Sequence, residues 1–387
     1  MNQMNNRKLR IVYCTPSLYI AGGVERVLTS KANYLAEQDG AYEVTFILTD
    51  GRGKEPFYPL SDKVKVINLG IDFEELWHAS FFRKIIIYLR KQRQYKRMLR
   101  KELMRLRPDI TISTLRREVN FITRIPDVSK KIGELHINRQ NYRNFGAHET
   151  NFVKRLFSKV WMRNLVGHLR QLDCLVVLTE QDKLSWGELD HVKVIPDPLT
   201  IRPSAVSRQT EKRMLAVGRY SHEKGFDLLL KAWNIVEKSC PDWRLDVFGD
   251  GDTSSYEQQI IDLAIDRSRC ELHGRTQQVE TEYVNSSVFV CSSRFEGFGM
   301  VLVESMACGL PVVSFDCPWG PRSIIDHEKN GLLVPTGDVD ALAAQLIRVA
   351  KDADLRHSLA AEAVKKAKMY DMNVVGQQWK KLFDELA

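Results

Sequence analysis

The stretch SRFEGFGMVLVESMACGLPVV, which runs from Ser293 to Val313, carries two carboxylates in a mostly apolar sequence. Glu296 and Glu304 lie eight residues apart, and the tripeptide Gly-Phe-Gly follows the first of them directly. The preceding segment SVFVCSS has the apolar character of a buried strand, and MVLVESMACG has the pattern of a helix. We therefore predict Glu296 in the loop at the carboxyl end of a strand, and Glu304 on the second turn of the next helix.

This layout suits the recognition of a nucleotide sugar. A carboxylate accepts hydrogen bonds from sugar hydroxyls, and glycine-rich backbone at a helix N-terminus presents N–H groups to an anion or a sugar oxygen. We assign Glu304 to ribose hydroxyls and Glu296 to the donor sugar. The backbone amides that we place in the same site belong to Gly297, Phe298, Gly299, Met300 and Val301. Taken alone, the stretch is also consistent with a helix glutamate that only complements the helix dipole.

Two further loops contain residue types that bind anions. In SLYIAGGVERV, Gly22 and Gly23 lie between a strand and a helix, so the backbone there can approach a phosphate. In VGRYSHEKGFDLLLKAW, Arg219 and Lys224 follow a strand, and a guanidinium fork with an ammonium at one strand end suits a diphosphate. Each loop by itself is also consistent with an ordinary strand-to-helix turn or with two surface cations.

Short apolar runs alternate with longer amphipathic ones along the whole chain, which is typical of parallel α/β sheets. The first half has seven strand candidates, from LRIVYCTP to VKVIPDP, with helical patterns between them that include one near residues 148–170. Six more strand candidates, from RMLAVGRY to NGLLVPTGD, follow in the second half. Between the halves, Pro196–Arg213 is rich in Pro, Ser and charge and is predicted to be a linker.

The alternation of strands and helices, interrupted once, predicts two domains. The length agrees, because 387 residues are too many for one typical core. We place an N-terminal Rossmann-like domain at residues 1–200 and a C-terminal one at 201–370. We expect a last helix, at 371–387, to pack back on the N-terminal domain. Two such domains imply a cleft that the carboxyl ends of both sets of strands face, and ligands bind at such edges.

The composition is that of an ordinary globular protein, with 44% apolar and 27% charged residues, which argues against a disordered chain. The seven cysteines have no CxxC spacing, so we interpret them as buried hydrophobic residues in a reducing cytoplasm. Met1–Arg10 is polar and lacks the apolar core of a signal peptide. No uncharged apolar run approaches the roughly 18 residues of a membrane-spanning helix. We therefore expect a cytoplasmic protein.

The charge is concentrated in the first half of the chain, although the net formal charge is only +8. Much of the excess lies in RKIIIYLRKQRQYKRMLRKELMRLR, residues 83–107, which has eleven basic residues and one acid. A solvated helix face explains such a run as well as a helix that lies on anionic lipid, with Ile85, Ile86, Ile87 and Leu89 near the interface. Nucleic acid is not an expected partner, because no recognisable nucleic-acid module accompanies the charge.

Together these motifs resemble the family-4 retaining glycosyltransferases of the GT-B fold over nearly the whole chain. The most specific element is the E-x7-E motif, Glu296 and Glu304, within EGFGMVLVESMACGLPVV. It is supported by AGGVERV, VGRYSHEKGFDLLLKAW, VFGDG at 247–251 and NGLLVPTGD at 330–338. The resemblance implies an α/β architecture of two Rossmann-like domains whose parallel sheets face a central cleft. The first domain would bind the acceptor and the second the nucleotide sugar.

The resemblance also implies roles for individual donor-site residues. In the family, a cation pair at the positions of Arg219 and Lys224 holds the donor diphosphate, and a glycine at Gly22 or Gly23 approaches the same phosphates. Backbone contacts near Gly274 and Arg275 would set the choice of base.

A histidine completes the expected catalytic set. His136 in GELHINRQNY matches a family histidine that contacts the donor sugar near the anomeric carbon. We therefore assign catalytic roles to His136, Glu296, Arg219 and Lys224. The stretch VIPDPLT has Asp197 at a position where the family frequently has Asn, which puts any role of that position in doubt.

The implied activity is retaining transfer of a hexose or N-acetylhexosamine from a nucleotide sugar, with a UDP-sugar favoured. The acceptor would be a hydroxyl of a growing, lipid-linked cell-surface glycan, as in bacterial polysaccharide and lipopolysaccharide assembly. The enzyme would lie peripherally on the inner face of the cytoplasmic membrane. We expect no cofactor and no required metal, because no DxD-type motif lies where the fold would need one.

Two other classes stay open on the sequence. One is a non-transferring GT-B enzyme such as a UDP-sugar 2-epimerase or a phosphorylase. The other is a non-catalytic membrane- or polyanion-binding protein, which residues 83–107 suggest but which leaves the ordered donor-site residues unexplained.

Overall fold

The computed structural model describes residues 7–38, 40–78, 81–139, 142 and 162–386. The chain forms two compact units, Met1–Pro198 with Val375–Ala387, and Leu199–Val374. The predicted linker spans this division, and the second unit has its first strand from Arg213. Of the helix predicted near 148–170, residues 162–169 are helical, and the preceding part lies outside the described residues.

The first unit is built around a parallel sheet of seven strands. They are β1 (Leu9–Thr15), β2 (Tyr42–Leu48), β3 (Lys65–Asn68), β4 (Ile110–Ser113), β5 (Lys130–Glu134), β6 (Cys174–Val177) and β7 (Val192–Val194). Their order in the sheet is β3-β2-β1-β4-β5-β6-β7, with every pairing parallel. All seven strands predicted for this half are present, with shorter boundaries. The order reverses between β1 and β4.

Helices cover both faces of this sheet. They are α1 (Gly23–Ala36), α2 (Phe81–Leu106), α3 (162–169), α4 (Glu180–Ser185) and, from the end of the chain, α12 (Met372–Leu386). Alternate residues of β1 belong to different cores, because strand side chains alternate between faces. Ile11 and Tyr13 pack with α1 and α12, whereas Val12 and Cys14 pack with α2. The first unit is therefore a three-layer α/β/α structure.

The last helix belongs to the first unit because of its apolar stripe. Val375, Trp379 and Phe383, which recur every four residues, are buried in the same cluster as Ile11 and Tyr13. The chain before it stays with the second unit. There the amide of Leu199 donates to the carbonyl of Tyr370 over 2.7 Å, and the structure assigns Leu199–Val374 to that unit.

The second unit repeats the architecture with six parallel strands, all predicted from the sequence. They are β8 (Arg213–Val217), β9 (Arg244–Phe248), β10 (Cys270–His273), β11 (Val288–Cys291), β12 (Val312–Phe315) and β13 (Gly331–Val334). Their order is β10-β9-β8-β11-β12-β13. The accompanying helices are α5 (Phe226–Ser239), α6 (Ser254–Asp262), α7 (Val279–Val284), α8 (Met300–Ala307), α9 (Pro321–Ile324), α10 (Val339–Lys351) and α11 (Ala353–Ala367).

This strand order places a topological switch point between β8 and β11, because the chain winds outward from β8 in one direction and from β11 in the other. Open α/β sheets bind ligands at the carboxyl ends of the strands on either side of such a point. The loops that follow β8 and β11 are therefore the places to look for a site in the second unit. They contain the residues that the sequence singled out.

Helix α2 contains most of the basic run. Tyr95, Leu99 and Leu103 are fully buried in the core beneath it, and these residues anchor its C-terminal half. Among the described residues, no helix combines the length and the apolar character that crossing a membrane requires.

Candidate functional site

An ion pair joins the two loops at the switch point of the second unit. The Lys224 Nζ lies 2.7 Å from Glu296 Oε1, and the Ser293 hydroxyl donates to the same oxygen over 2.6 Å. The side chains of Lys224 and Glu296 are only 19% and 9% exposed. The sequence predicted Lys224 and Glu296 as site residues but did not indicate that they contact each other, and it missed Ser293.

The Glu296 carboxylate favours the charged form of Lys224. Burial is the largest influence on the pKa of Lys224 and lowers it, but the carboxylate of Glu296 outweighs burial and leaves the pKa raised. Arg219 is exposed just after β8, and its positive charge lowers the pKa of Lys224. The two cations therefore lie near each other, as the sequence predicted for a diphosphate site.

The backbone of the two loops is locked together around this pair. Gly225 caps α5 in a left-handed conformation with φ 63°, and a Cβ at this position would lie 2.1 Å from the carbonyl oxygen of Ser292. The Ser292 hydroxyl donates to the carbonyl of Lys224 over 2.9 Å, and the amide of Arg294 donates to Glu223 over 2.8 Å. This close approach explains why glycine follows Lys224.

A bidentate salt bridge reinforces the same junction. Arg294 donates through both terminal nitrogens to the two carboxylate oxygens of Asp227, each over 2.7 Å, and also donates to the carbonyl of His222 over 2.8 Å. Fork-to-carboxylate pairs of this kind fix geometry as well as charge. The sequence offered no signal for this pair, because the two residues lie 67 positions apart.

Helix α8 begins directly beyond Glu296. Gly299 is its N-cap, with a left-handed φ of 96°, and Met300 and Val301 form the first turn. Gly297 precedes the cap in the same loop, and Phe298 is buried there with its ring against Tyr370. The positive end of a helix dipole thus lies next to the Lys224–Glu296 pair. The placement of Glu296 in the loop agrees with the sequence pattern.

Glu304 lies on the second turn of α8, as predicted, but its side chain is buried and not freely accessible from solvent. The residue is 1% exposed. Its Oε1 accepts from the Thr200 hydroxyl over 3.2 Å, and its Oε2 accepts from the Tyr283 hydroxyl over 3.3 Å. Tyr283 is fully buried, whereas Thr200 is half-buried. Sequence reasoning missed both hydroxyl donors.

The loop after β10 carries the two residues predicted beside the base. Gly274 and Arg275 are exposed there. The preceding residue, His273, stacks on Phe248 with ring centroids 4.3 Å apart, and its Nε2 lies 2.8 Å from Asp246 Oδ1. These contacts hold the start of the loop at the carboxyl edge of the sheet.

The first unit places its predicted glycines at the N-terminus of α1. Gly22 is the N-cap, and Gly23, which begins the helix, has open space around its α-carbon. A Cβ on Gly22 would lie 2.1 Å from the Glu25 carboxylate. The pKa of Glu25 is raised mainly by burial, while the charges of Arg116 and His136 lower it. The N-terminus of α1 thus has the carboxylate of Glu25, from the same helix, beside it. The sequence analysis did not predict this contact.

His136 lies two residues beyond β5, close to the strand end at which the sequence predicts it. Its Nε2 is 3.3 Å from Glu134 Oε1, and its Nδ1 is 3.2 Å from Asp197 Oδ1. The side chain is 6% exposed. The structure therefore brings together His136 and Asp197, the residue that departs from the family pattern.

The Gly225 turn provides a test of how tightly the two loops are joined. Gly225→Ala should lower the free energy of unfolding by well over the ~1–2 kcal/mol of left-handed strain, because the new Cβ would overlap the Ser292 carbonyl. Gly337→Ala is the matched control, since Gly337 has φ 83° and open space. Urea unfolding of both variants measures the difference, and equal losses would show that the close approach is unimportant.

The second unit, which contains these two loops, is similar to a known protein family. Residues 199–366 match the family of glycosyl transferases group 1. The chain is 26% identical over 367 residues to an uncharacterized glycosyltransferase of Haemophilus influenzae, covering 93% of this chain and 96% of that one. It is 28% identical over 378 residues to a Campylobacter jejuni α-1,4-N-acetyl-D-galactosaminyltransferase named for a GalNAc-containing, diNAcBac-PP-undecaprenol-linked substrate, covering 95% and 96% of the two chains.

A solved structure supports the fold. The pneumococcal O-GlcNAc transferase GtfA, crystallised with UDP and GlcNAc, superimposes with a TM-score of 0.75 at 16% identity, covering 98% of this chain and 99% of that one. The two parallel-sheet α/β units have the fold of GT-B glycosyltransferases, and residues 199–366 form a domain of the glycosyl transferases group 1 family.

Proposed function

We propose that this glycosyltransferase moves a hexose or N-acetylhexosamine from a UDP-sugar, with retention of configuration, to a hydroxyl of a lipid-linked bacterial glycan. The observation that carries the proposal is the Lys224–Glu296 pair at the N-terminus of α8. It concentrates a cation, a carboxylate and a helix dipole at a switch point. Support for the donor comes from the UDP bound to GtfA, and for the acceptor from the undecaprenol named for the Campylobacter relative.

Lys224 and Arg219 would stabilise the departing diphosphate. Negative charge grows on the phosphate oxygens as the glycosidic bond breaks, and fixed cations stabilise it without reorganising. Lys224 is held in place by its ion pair, whereas the exposed Arg219 is available as a guanidinium fork for two phosphate oxygens. The acceptor hydroxyl would enter on the same face, beside the leaving group.

Glu296 and the start of α8 would position the sugar. Glu296 Oε1 is fixed by Lys224 and Ser293, so its carboxylate keeps one orientation for sugar hydroxyls. Backbone amides around Gly299 would donate hydrogen bonds to oxygens of the sugar or the phosphate at the positive end of the helix. Gly274 and Arg275 would contact the base, and Glu304 the ribose.

We propose that transfer needs no metal, because Lys224 and Arg219 supply the positive charge at the leaving group. Among the described residues, two groups of side chains have the spacing of metal ligands, Glu134 with His136 and Asp197, and Asp246 with Glu271 and His273. Neither group includes Glu296 or Glu304, the carboxylates of the proposed donor site.

The donor assignment predicts selective stabilisation by one nucleotide. In a thermal-shift screen without metal, UDP and one of its sugar conjugates should raise Tm, and GDP and ADP should not. Glu304→Ala should weaken donor binding by about 1–3 kcal/mol, since ribose loses a charged hydrogen-bond partner. Glu211→Ala, an exposed position of the same unit, is the control. Unchanged affinity of the Glu304 variant by calorimetry would remove Glu304 from the site.

The leaving-group role of Lys224 predicts a change in turnover. Lys224→Met should lower kcat by roughly 100-fold, because a fixed charge is lost where phosphate charge develops, while the donor Kd changes less. Lys231→Met, at an exposed position on α5, is the control. Rates of UDP release should be compared with the melting temperatures. A folded Lys224 variant with wild-type turnover would contradict the role.

Helix α2 is the proposed contact with the membrane. The helix follows β3 and precedes β4, so its N-terminus lies at the carboxyl edge of the sheet. Its 26 residues span about 39 Å, whereas the seven residues of β1 span about 23 Å. Its first turns therefore extend beyond that edge.

The exposed surface of these turns suits a lipid interface. Ile85, Ile86 and Leu89 are 45%, 69% and 49% exposed. Arg83, Lys84 and Arg90 are exposed on the same turns. Apolar side chains beside cations are typical of helices that lie in the headgroup region of anionic membranes. We propose that α2 holds the enzyme peripherally at such a surface, where a lipid-linked acceptor is found.

Charge reversal separates this role from catalysis. Replacing the exposed Arg93, Lys96, Arg97 and Arg100 of α2 by Glu should abolish sedimentation with phosphatidylglycerol vesicles, since each basic residue contributes about 1 kcal/mol at an anionic surface. Stabilisation by UDP should not change. Reversal of four exposed lysines of the second unit, Lys231, Lys238, Lys329 and Lys351, is the control. Equal vesicle binding by the α2 variant would contradict the membrane role.

A further inference from the structure

A cluster of four ionisable side chains is buried in the first unit. His136 lies between Glu134 at Nε2 and Asp197 at Nδ1, at 3.3 and 3.2 Å. Lys31 of α1 forms an ion pair with the same Oε1 of Glu134. The side chains of Lys31, Glu134, His136 and Asp197 are 3%, 1%, 6% and 9% exposed. Water therefore does little to stabilise charge here.

The surroundings of the cluster are mostly aromatic. The Lys31 Nζ lies 4.3 Å from the ring centroid of Trp379 on α12 and 5.7 Å from that of Tyr13 on β1. The pKa of Tyr13 is raised by burial and by the charge of Glu134, so Tyr13 adds no charge near neutral pH. Among the described residues, Glu25 of α1 is a further carboxylate coupled to His136, because the charges of both Arg116 and His136 lower the pKa of Glu25.

The charges balance only if the histidine carries a proton on both nitrogens. Glu134 and Asp197 bring two negative charges and Lys31 brings one positive charge, so a neutral imidazole would leave a net negative charge in a buried site. An uncompensated buried charge costs several kcal/mol. We propose that His136 is an imidazolium at neutral pH that bridges Glu134 and Asp197, and that Asp197 is a positioning residue that fixes His136 for glycosyl transfer.

The titration behaviour of the histidine supports this proposal. Burial is the largest single influence on the pKa of His136 and lowers it, but Asp197 and Glu134 together outweigh burial, and the pKa is raised. Because the folded-state pKa lies above the ordinary value of 6.5, the bridge stabilises the fold fully below about pH 6.5. That stability is lost as the pH rises through the folded-state pKa.

A bound metal explains the geometry less well than two protons do. Glu134, His136 and Asp197 have ligand atoms within 4.8 Å of one another. However, the two carboxylates lie at different ring nitrogens, which point away from each other, so one ion cannot sit between each nitrogen and its carboxylate.

The bridge has a consequence for the reaction. Each ring nitrogen of His136 lies within ion-pair distance of a carboxylate but makes no aligned hydrogen bond, so charge holds the ring in this place. A doubly protonated imidazole has no lone pair with which to act as a general base. What it can do is hold the backbone beyond β5 against the segment that follows β7, at the edge of the sheet where α/β folds bind ligands. The family frequently has an uncharged Asn at the position of Asp197. This chain has a carboxylate there, which adds a charge to that contact.

Nuclear magnetic resonance of the ring tests the proposal without any substrate. The chain has nine histidines, and the signal that disappears in His136→Gln identifies the one of interest in protein with ¹³C- and ¹⁵N-labelled imidazoles. At pH 7.5 the wild-type ring should show two protonated nitrogens. Asp197→Asn should lower the pH of its titration by about one unit or more, since one of two opposite charges is removed. Asp190→Asn, at an exposed position, should leave the titration unchanged.

Several outcomes would overturn the bridge. A neutral wild-type ring at pH 7.5 would do so, as would an identical titration in Asp197→Asn. A stoichiometric shift of the ring signals on addition of Zn²⁺ alone would replace the bridge by a metal site. If Asp197→Asn does not fold, the wild-type titration still decides the charge of His136.

The positioning role, which rests on the proposed transferase function, has a kinetic readout. Asp197→Asn should lower kcat for UDP release roughly tenfold, with the alkaline limb of the pH profile moved to lower pH, while donor KM changes less. A wild-type profile would reject the role in catalysis while leaving the ring titration valid. Failure of the donor screen would instead reject the transferase proposal and leave the charge of His136 unaffected.

Discussion

Burial of charge is the constraint on which both halves of this protein depend. In the second unit, the Glu296 side chain is only 9% exposed, and a carboxylate at that depth needs a cation beside it. Lys224 meets this need from a loop that follows a different strand. The left-handed turn at Gly225 and the Arg294–Asp227 salt bridge keep the two loops close enough for the contact. The charged residues of the candidate site, Lys224 and Glu296, thus also hold its two loops together.

The first unit applies the same constraint with a different set of elements. Lys31 comes from α1, Glu134 from β5, and Asp197 from the segment after β7, so the cluster ties α1 to the sheet of that unit. Trp379 of the last helix closes it from outside. Through Trp379, the last helix therefore contacts the charged cluster as well as the apolar core. His136 lies at the centre of this arrangement.

The chemistry of a group 1 glycosyltransferase fits this distribution of charge. Transfer from a nucleotide sugar needs fixed positive charge at the diphosphate and fixed acceptors at the sugar, and both are costly to assemble in a low-dielectric site. The carboxylate of Glu296 keeps the pKa of Lys224 raised despite burial, so the cation is in place without a ligand. Most cations of α2 are exposed, in contrast to Lys224, whereas Lys91 is largely buried and donates to the carbonyl of Asp72.

The fold class, the thirteen predicted strands and the loops or helices that contain Glu296, Glu304 and Lys224 could be predicted from the sequence. Secondary structure leaves local signals, namely hydrophobic periodicity and the positions of glycines, which can be recognised within a short stretch of the chain. The sequence could not determine which side chains meet. The contacts of Arg294 with Asp227 and of His136 with Asp197 join residues far apart in the chain, and they exist only because parallel strands bring their carboxyl ends to one edge. Tertiary structure alone therefore decided which charges are paired and which stay exposed.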